Sequence, residues 1–167
     1  SIISLPSIPD IKEETPSSNT LATSTSSVAT TTLEAETVLV SSNKNIIIST
    51  TTISVILADT VEKRTRGLSG YQTLGPTEGM LFIFPDIGRF SFWMSDVSFP
   101  IDIIWIGPDN KIIGVAENAK PAVLSKPPIY YDPPGPIRFV LEMRAGSYKK
   151  YNFATGTVVD LSQVLQN

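Results

Sequence analysis

From residue 45 onward, apolar residues come in short β-branched and aromatic runs broken by turn residues, a pattern of strands rather than long helices. Residues 45–50 (NIIIST) and 53–59 (ISVILAD) are two such runs. Asp59-Thr60-Val61-Glu62 then carries the spacing of a capping box, with Asp59 as the cap. It predicts a short helix over VEKRTRGL, stopped by Gly67 and broken again at Gly70. Residues 79–85 (GMLFIFP) read as a buried strand. After a turn at Pro85-Asp86, residues 88–95 (GRFSFWMS) read as another. The runs IDIIWI and KIIGVAE flank Gly107-Pro108-Asp109-Asn110, residues suited to a type I turn, and predict a hairpin. Residues 137–144 (IRFVLEMR) alternate most cleanly. Ile137, Phe139, Leu141 and Met143 fall on one face; Arg138, Val140, Glu142 and Arg144 fall on the other. Between these strands, residues 120–136 hold six prolines, which bars a helix or a central strand and leaves a long surface loop. One helical turn is expected near Gly146 and a last strand near residues 155–161. The sum is a mostly β fold with minor α content: a single compact barrel- or sandwich-like domain with one or two short helices.

Composition narrows the chemistry. The chain has 167 residues, no cysteine and no histidine. Disulfides, thiolate nucleophiles, imidazole acid–base catalysis and Cys- or His-ligated metals are therefore excluded. Any reaction would rest on carboxylates, hydroxyls, Lys, Arg, Tyr or backbone amides. Charge is unevenly placed. Residues 1–44 carry two lysines against five acids, while the rest balances eleven bases with eleven acids. A neutral domain behind an acidic leader lacks the basic excess that phosphate binding demands, so no nucleic-acid partner is expected.

The leader has a character of its own. Residues 15–32 contain 12 Ser or Thr in 18 positions, with no periodic apolar pattern. Such a segment cannot bury enough surface to offset its ordering entropy. Residues 1–44 are accordingly expected to be a disordered Ser/Thr-rich linker or stalk, and residues 45–167 the β domain. Ser/Thr-rich stalks of this composition suit extracytoplasmic tethers. The expectation is a secreted or membrane-tethered protein of the cell envelope, with a signal peptide or anchor once preceding Ser1. The membrane would be reached only through that missing anchor, because no run within the chain nears the roughly 20 apolar residues of a span.

Two carboxylates stand out as candidate catalysts. Asp102 interrupts an otherwise apolar strand, where a carboxylate needs a partner. It reads either as a general acid–base group or as a buried anchor held by backbone amides or an arginine. Glu142 reads as its second carboxylate across a cleft, in the manner of a glycosidase, or as an ordinary surface partner of Arg138 and Arg144. For binding, Trp93 alternates with Arg89, Ser91 and Ser95 on the face opposite Phe90, Phe92 and Met94. A groove of Arg89, Trp93, Asp96 and Asp102, with Tyr130 and Tyr131 as a lid, would suit a sugar ring or another planar ligand. Asp96 and Asp102 lack the spacing of a calcium loop, so no metal is assigned. No phosphate-cradling glycine motif is present, and no cofactor is expected.

The segments ADTVEKRTRGLSG, EGMLFIFP, FWMSDVSFPIDIIWI, FVLEMRAG and TGTVV, in that order and spacing, resemble the DUF192 family. These are small, mostly β domains of uncharacterised function in bacteria and archaea, often behind a signal peptide or lipoprotein anchor. The likeness runs from about Ile53 to Leu161 and implies the fold, not a reaction. The chain departs from the family pattern where GLSGY stands for GLMGR, Ser95-Asp96-Val97 for Lys-Asn-Thr, and Gly156-Thr157 for Gly-Asp. Asp102 and Glu142 occupy the matching PID and VLE positions. The leading expectation is a non-catalytic binding or accessory module for an envelope glycan or small molecule. A carboxylate-dependent glycan hydrolase and a structural protein-interaction domain, its protein partner unknown, are the alternatives.

Overall fold

The computed structural model describes residues 44–123 and 125–166. The expected Ser/Thr-rich stalk of residues 1–44 lies outside the described residues except for Lys44, which opens the first strand. Among the described residues, nine strands and three short helices follow one another: β1 (Lys44–Ile48), β2 (Thr51–Ala58), α1 (Val61–Arg66), β3 (Glu78–Gly88), β4 (Phe92–Trp93), β5 (Ile101–Ile106), β6 (Ile112–Ala119), β7 (Tyr130–Tyr131), β8 (Ile137–Arg144), α2 (Ser147–Lys150), β9 (Val159–Asp160) and α3 (Ser162–Leu165).

Seven strands form one sheet in the order β6-β5-β8-β3-β2-β1-β9, and β4 and β7 pair separately. Neighbours run antiparallel except β2 and β3, which run parallel because α1 carries the chain across between them. The sheet curls into a half-barrel, and its two edge regions meet at one end. There Lys111 bridges Val158, the Ile112 amide donates to Thr157 O at 2.9 Å, and the Val159 amide donates to Asn110 O at 2.8 Å.

Two apolar layers follow from the period-two alternation of the strands. Inside the curl, Ile46, Ile53, Leu81, Ile104, Phe139, Leu141 and Met143 form one core, joined by Phe153 and Leu161. Outside it, Met80, Phe82, Ile103, Trp105 and Val140 are covered by Leu68, Leu74, Phe90, Phe92 and Met94. Central strands thus have both faces buried, which is why all six residues of β5 are buried. The clean alternation of residues 137–144 had suggested one wet face. Instead Val140 and Glu142 are buried under the outer layer, and Ile137 joins that layer rather than the inner one.

The 107–110 hairpin forms as expected, with Asn110 at φ 59° and the Gly107 amide donating to Lys111 O at 2.8 Å. α1 starts at Val61 as expected, but its cap differs. Thr60, not Asp59, is the cap, its Oγ1 accepting from the Lys63 amide at 3.3 Å. Asp59 instead accepts from Lys63 Nζ at 2.7 Å, which holds its carboxyl below the ordinary 3.8. The stabilisation from that depressed carboxyl is complete above the unfolded-state value and lost as pH falls through the folded one. An exposed i,i+4 pair contributes only about 0.3–0.5 kcal/mol. Asp59→Asn should therefore cost that little near neutral pH. In chemical denaturation, the difference from wild type should shrink as pH falls from neutral and vanish once pH is below the folded-state value of Asp59, which lies under the ordinary 3.8.

Candidate functional site

The proline-rich segment is tied down onto β4, and the attachment builds a groove. β4 and β7 pair with Trp93 opposite Tyr130 and Phe92 opposite Tyr131. The Ala122 amide donates to Met94 O at 3.2 Å, Ser91 Oγ to Asp132 Oδ1 at 2.5 Å, and Arg89 Nη2 to Pro134 O at 3.3 Å. Alternation sends Phe92 and Met94 into the outer core and leaves Trp93 half-buried on the other side. A cavity of about 320 Å³ opens there, lined by Trp93, Met94, Lys120, Val123, Lys126 and Ile129 together with Pro121, Ala122, Pro127 and Pro128. Tyr130, 52% exposed, stands beside it with its ring centroid 6.3 Å from that of Trp93. Val123 and Ile129 are likewise exposed.

The residues singled out in the sequence are only partly brought together. Trp93 and Tyr130 meet. Tyr131, one position on, turns to the opposite face and packs on the outer core, so the two tyrosines do not act as one lid. Arg89 and Asp96 are exposed and do not line the cavity. Asp96 sits at φ 54° with its Oδ2 accepting from Ser95 Oγ at 3.2 Å.

Asp102 lies elsewhere. It points into the curl with Ile104, fully buried, and its two oxygens accept the Asn118 and Tyr148 amides, each at 2.9 Å. These bonds join the end of β6 and the first turn of α2 to β5. Glu142 is also fully buried but faces the other way. It pairs in register with Met80 and Ile103, whereas Asp102 pairs with Met143. A one-residue offset on adjacent antiparallel strands puts the two side chains on opposite faces of the sheet. The structure therefore gives Asp102 and Glu142 no shared cleft, which an acid–base pair flanking a scissile bond requires. Nor does Glu142 lie on a wet strand surface with Arg138 and Arg144, which are exposed while it is not. The lysines of the groove, Lys120 and Lys126, carried no sequence signal beyond their place in the proline-rich loop.

The DUF192 profile, described as uncharacterized ACR, matches residues 42–161. The chain belongs to the DUF192 family. Two solved structures resemble this DUF192 domain. One is a candidate transcription regulator from Sinorhizobium meliloti 1021, at 28% identity and TM-score 0.64, covering 71% of this chain and 92% of the other. The second is a protein of unknown function from Novosphingobium aromaticivorans DSM 12444, at 29% identity and TM-score 0.60, with 70% and 83% covered. None of the curated proteins compared matches the chain. The DUF192 family is thus one of uncharacterised proteins, and it supplies no reaction against which the groove can be read. Among the described residues of this DUF192 domain, no three Asp or Glu side chains gather as a metal cluster, and no helix is long and apolar enough to cross a membrane.

Proposed function

We propose that this DUF192 domain is a non-catalytic binding module of the cell envelope, its ligand an acidic glycan lying along Trp93. The observation that carries this reading is the Trp93–Tyr130 pair at the edge of a preformed groove, 6.3 Å between ring centroids. Aromatic faces stack on the C–H faces of sugar rings while the indole N–H keeps a bond to offer. Lys120 and Lys126, both exposed, add positive charge that favours carboxylate- or phosphate-bearing sugars. The volume of about 320 Å³ is at the small end of ligand sites, enough for part of a chain. The envelope address rests on the Ser/Thr-rich stretch of residues 15–32 ahead of the domain. A regulator's role on DNA, suggested by the description of the Sinorhizobium relative, is not adopted. Eleven bases balanced by eleven acids downstream of residue 44 offer no basic excess for a duplex.

Titration with soluble acidic and neutral oligosaccharides, followed by isothermal titration calorimetry, tests this directly. Acidic oligosaccharides should bind and Trp93→Ala should weaken them roughly fivefold, in line with a stacking contribution of about 1 kcal/mol. The variant's melting temperature should stay within a few degrees, because Trp93 is only half-buried. A folded Trp93→Ala protein that binds as tightly as wild type would move the ligand out of this groove. Failure of every oligosaccharide to bind would overturn the glycan assignment.

A further inference from the structure

A second cavity, of about 220 Å³, is lined by Val61, Arg64, Thr65, Phe84, Pro85, Asp86 and Phe90. Arg64 is only 9% exposed, which is unusual for a guanidinium. Its Nη1 donates to two carbonyls, Asp59 O and Ile83 O, both at 2.8 Å, and the group lies 5.6 Å from the Phe84 ring centre. Nε and Nη2, the flat edge suited to a bidentate carboxylate, meet no acceptor among the described residues. No carboxylate oxygen among those residues comes within 4.0 Å of it. The Asp59 carboxylate is taken up by Lys63 at 2.7 Å, and it and Glu62 act on Arg64 only as charges beyond ion-pair distance.

A buried cation normally has a counter-charge, since desolvation without one is costly. Here the guanidinium borders a cavity whose other walls are largely apolar, with Phe84 and Phe90 stacked 4.1 Å apart and nearly parallel at 6°. We propose that this cavity is a binding site for a small monocarboxylate carrying an apolar ring or chain. The carboxylate meets the Nε/Nη2 edge of Arg64, and the apolar part lies against Phe84, Phe90 and Val61. Asp86, the acidic side chain among the lining residues, disfavours a second negative group. This site shares no lining residue with the Trp93 groove, so it stands or falls independently of the glycan reading.

The probes are benzoate, phthalate, benzyl alcohol and inorganic phosphate, titrated into the full chain and followed by amide NMR shifts. Benzoate should shift residues 61–66 and 84–90, bind better than phthalate, and outcompete benzyl alcohol by roughly 10- to 100-fold through the charged hydrogen bonds. Thr65→Trp, a change at an exposed lining position, fills the cavity without touching the Arg64 bonds and should abolish those shifts while leaving the fold intact. Arg64→Gln should weaken benzoate by a similar factor. Should it fail to fold, Thr65→Trp alone decides. Equal affinity for benzoate and benzyl alcohol would overturn the role of Arg64. Shifts with phosphate but none with benzoate would overturn the apolar half of the assignment. Unchanged benzoate binding by Thr65→Trp would overturn the site itself.

Discussion

Asp102→Ala is expected to lower stability by about 3–5 kcal/mol, a large share of the 5–15 kcal/mol typical of a domain. The carboxylate is fully buried and accepts two backbone amides, from Asn118 and Tyr148, at 2.9 Å each. Hydrogen bonds to a charged acceptor contribute about 1.5–3 kcal/mol apiece, and deletion also leaves both N–H groups orphaned. Asp102→Asn is the sharper variant. An asparagine keeps one acceptor oxygen but turns an NH₂ toward the other backbone N–H, so it should cost about 2–3 kcal/mol. Thermal unfolding should show the order wild type, Asn, Ala, with the Ala variant lower by about 10–20 °C. A neutral Asp102→Asn would show that one oxygen suffices and that the second amide is satisfied otherwise. If the Ala variant retains full stability, the anchoring role of Asp102 is wrong.

Gly79→Ala should be the next most damaging, although alanine usually stabilises a chain relative to glycine. Gly79 sits in β3 between β2 and β8, opposite Val55 and Met143. A Cβ there would lie 2.8 Å from Glu142 O and 2.9 Å from Leu141 Cδ1. The first contact is with backbone at the centre of the sheet, which cannot move aside without disturbing the ladder. Overpacking of this kind costs about 1–3 kcal/mol. It outweighs the roughly 0.4–1 kcal/mol gained by restricting the unfolded chain. Gly135→Ala is the internal control, since its Cβ would meet Ile113 Cδ1 at an ordinary 3.6 Å. Urea denaturation should lower the midpoint for Gly79→Ala and leave Gly135→Ala level or slightly raised. Equal midpoints would mean that β8 yields more readily than this close approach implies.

Much of the fold was legible because strand information is local. The β-branched runs, the turn residues of 107–110 and Gly67 at the end of α1 each act within a few residues. The details that slipped did so where neighbours competed. Asp59 has the right side chain to cap α1, but Lys63 takes it, and Thr60 caps instead. β3 runs on to Gly88, beyond the turn expected at Pro85-Asp86, because β8 extends alongside it through an irregular stretch of register. The candidate site was less legible. Trp93 and Tyr130 are 37 positions apart in the chain, and only the pairing of β4 with β7 makes them neighbours.

By itself the sequence determined the fold class, the family and the kinds of chemistry available, since composition and local periodicity carry those. The absence of histidine and cysteine removes whole classes of mechanism whatever the fold. The tertiary structure alone decided which side chains share a surface. Asp102 and Glu142 look like partners in one dimension, yet a one-residue difference in register sends them to opposite faces of the sheet. Arg64 is one of several cations in a short polar helix, and its burial beside a cavity depends on Ile83 and Phe84 arriving from another strand. Register and curl are set by long-range pairing between strands, which no local pattern of residues encodes.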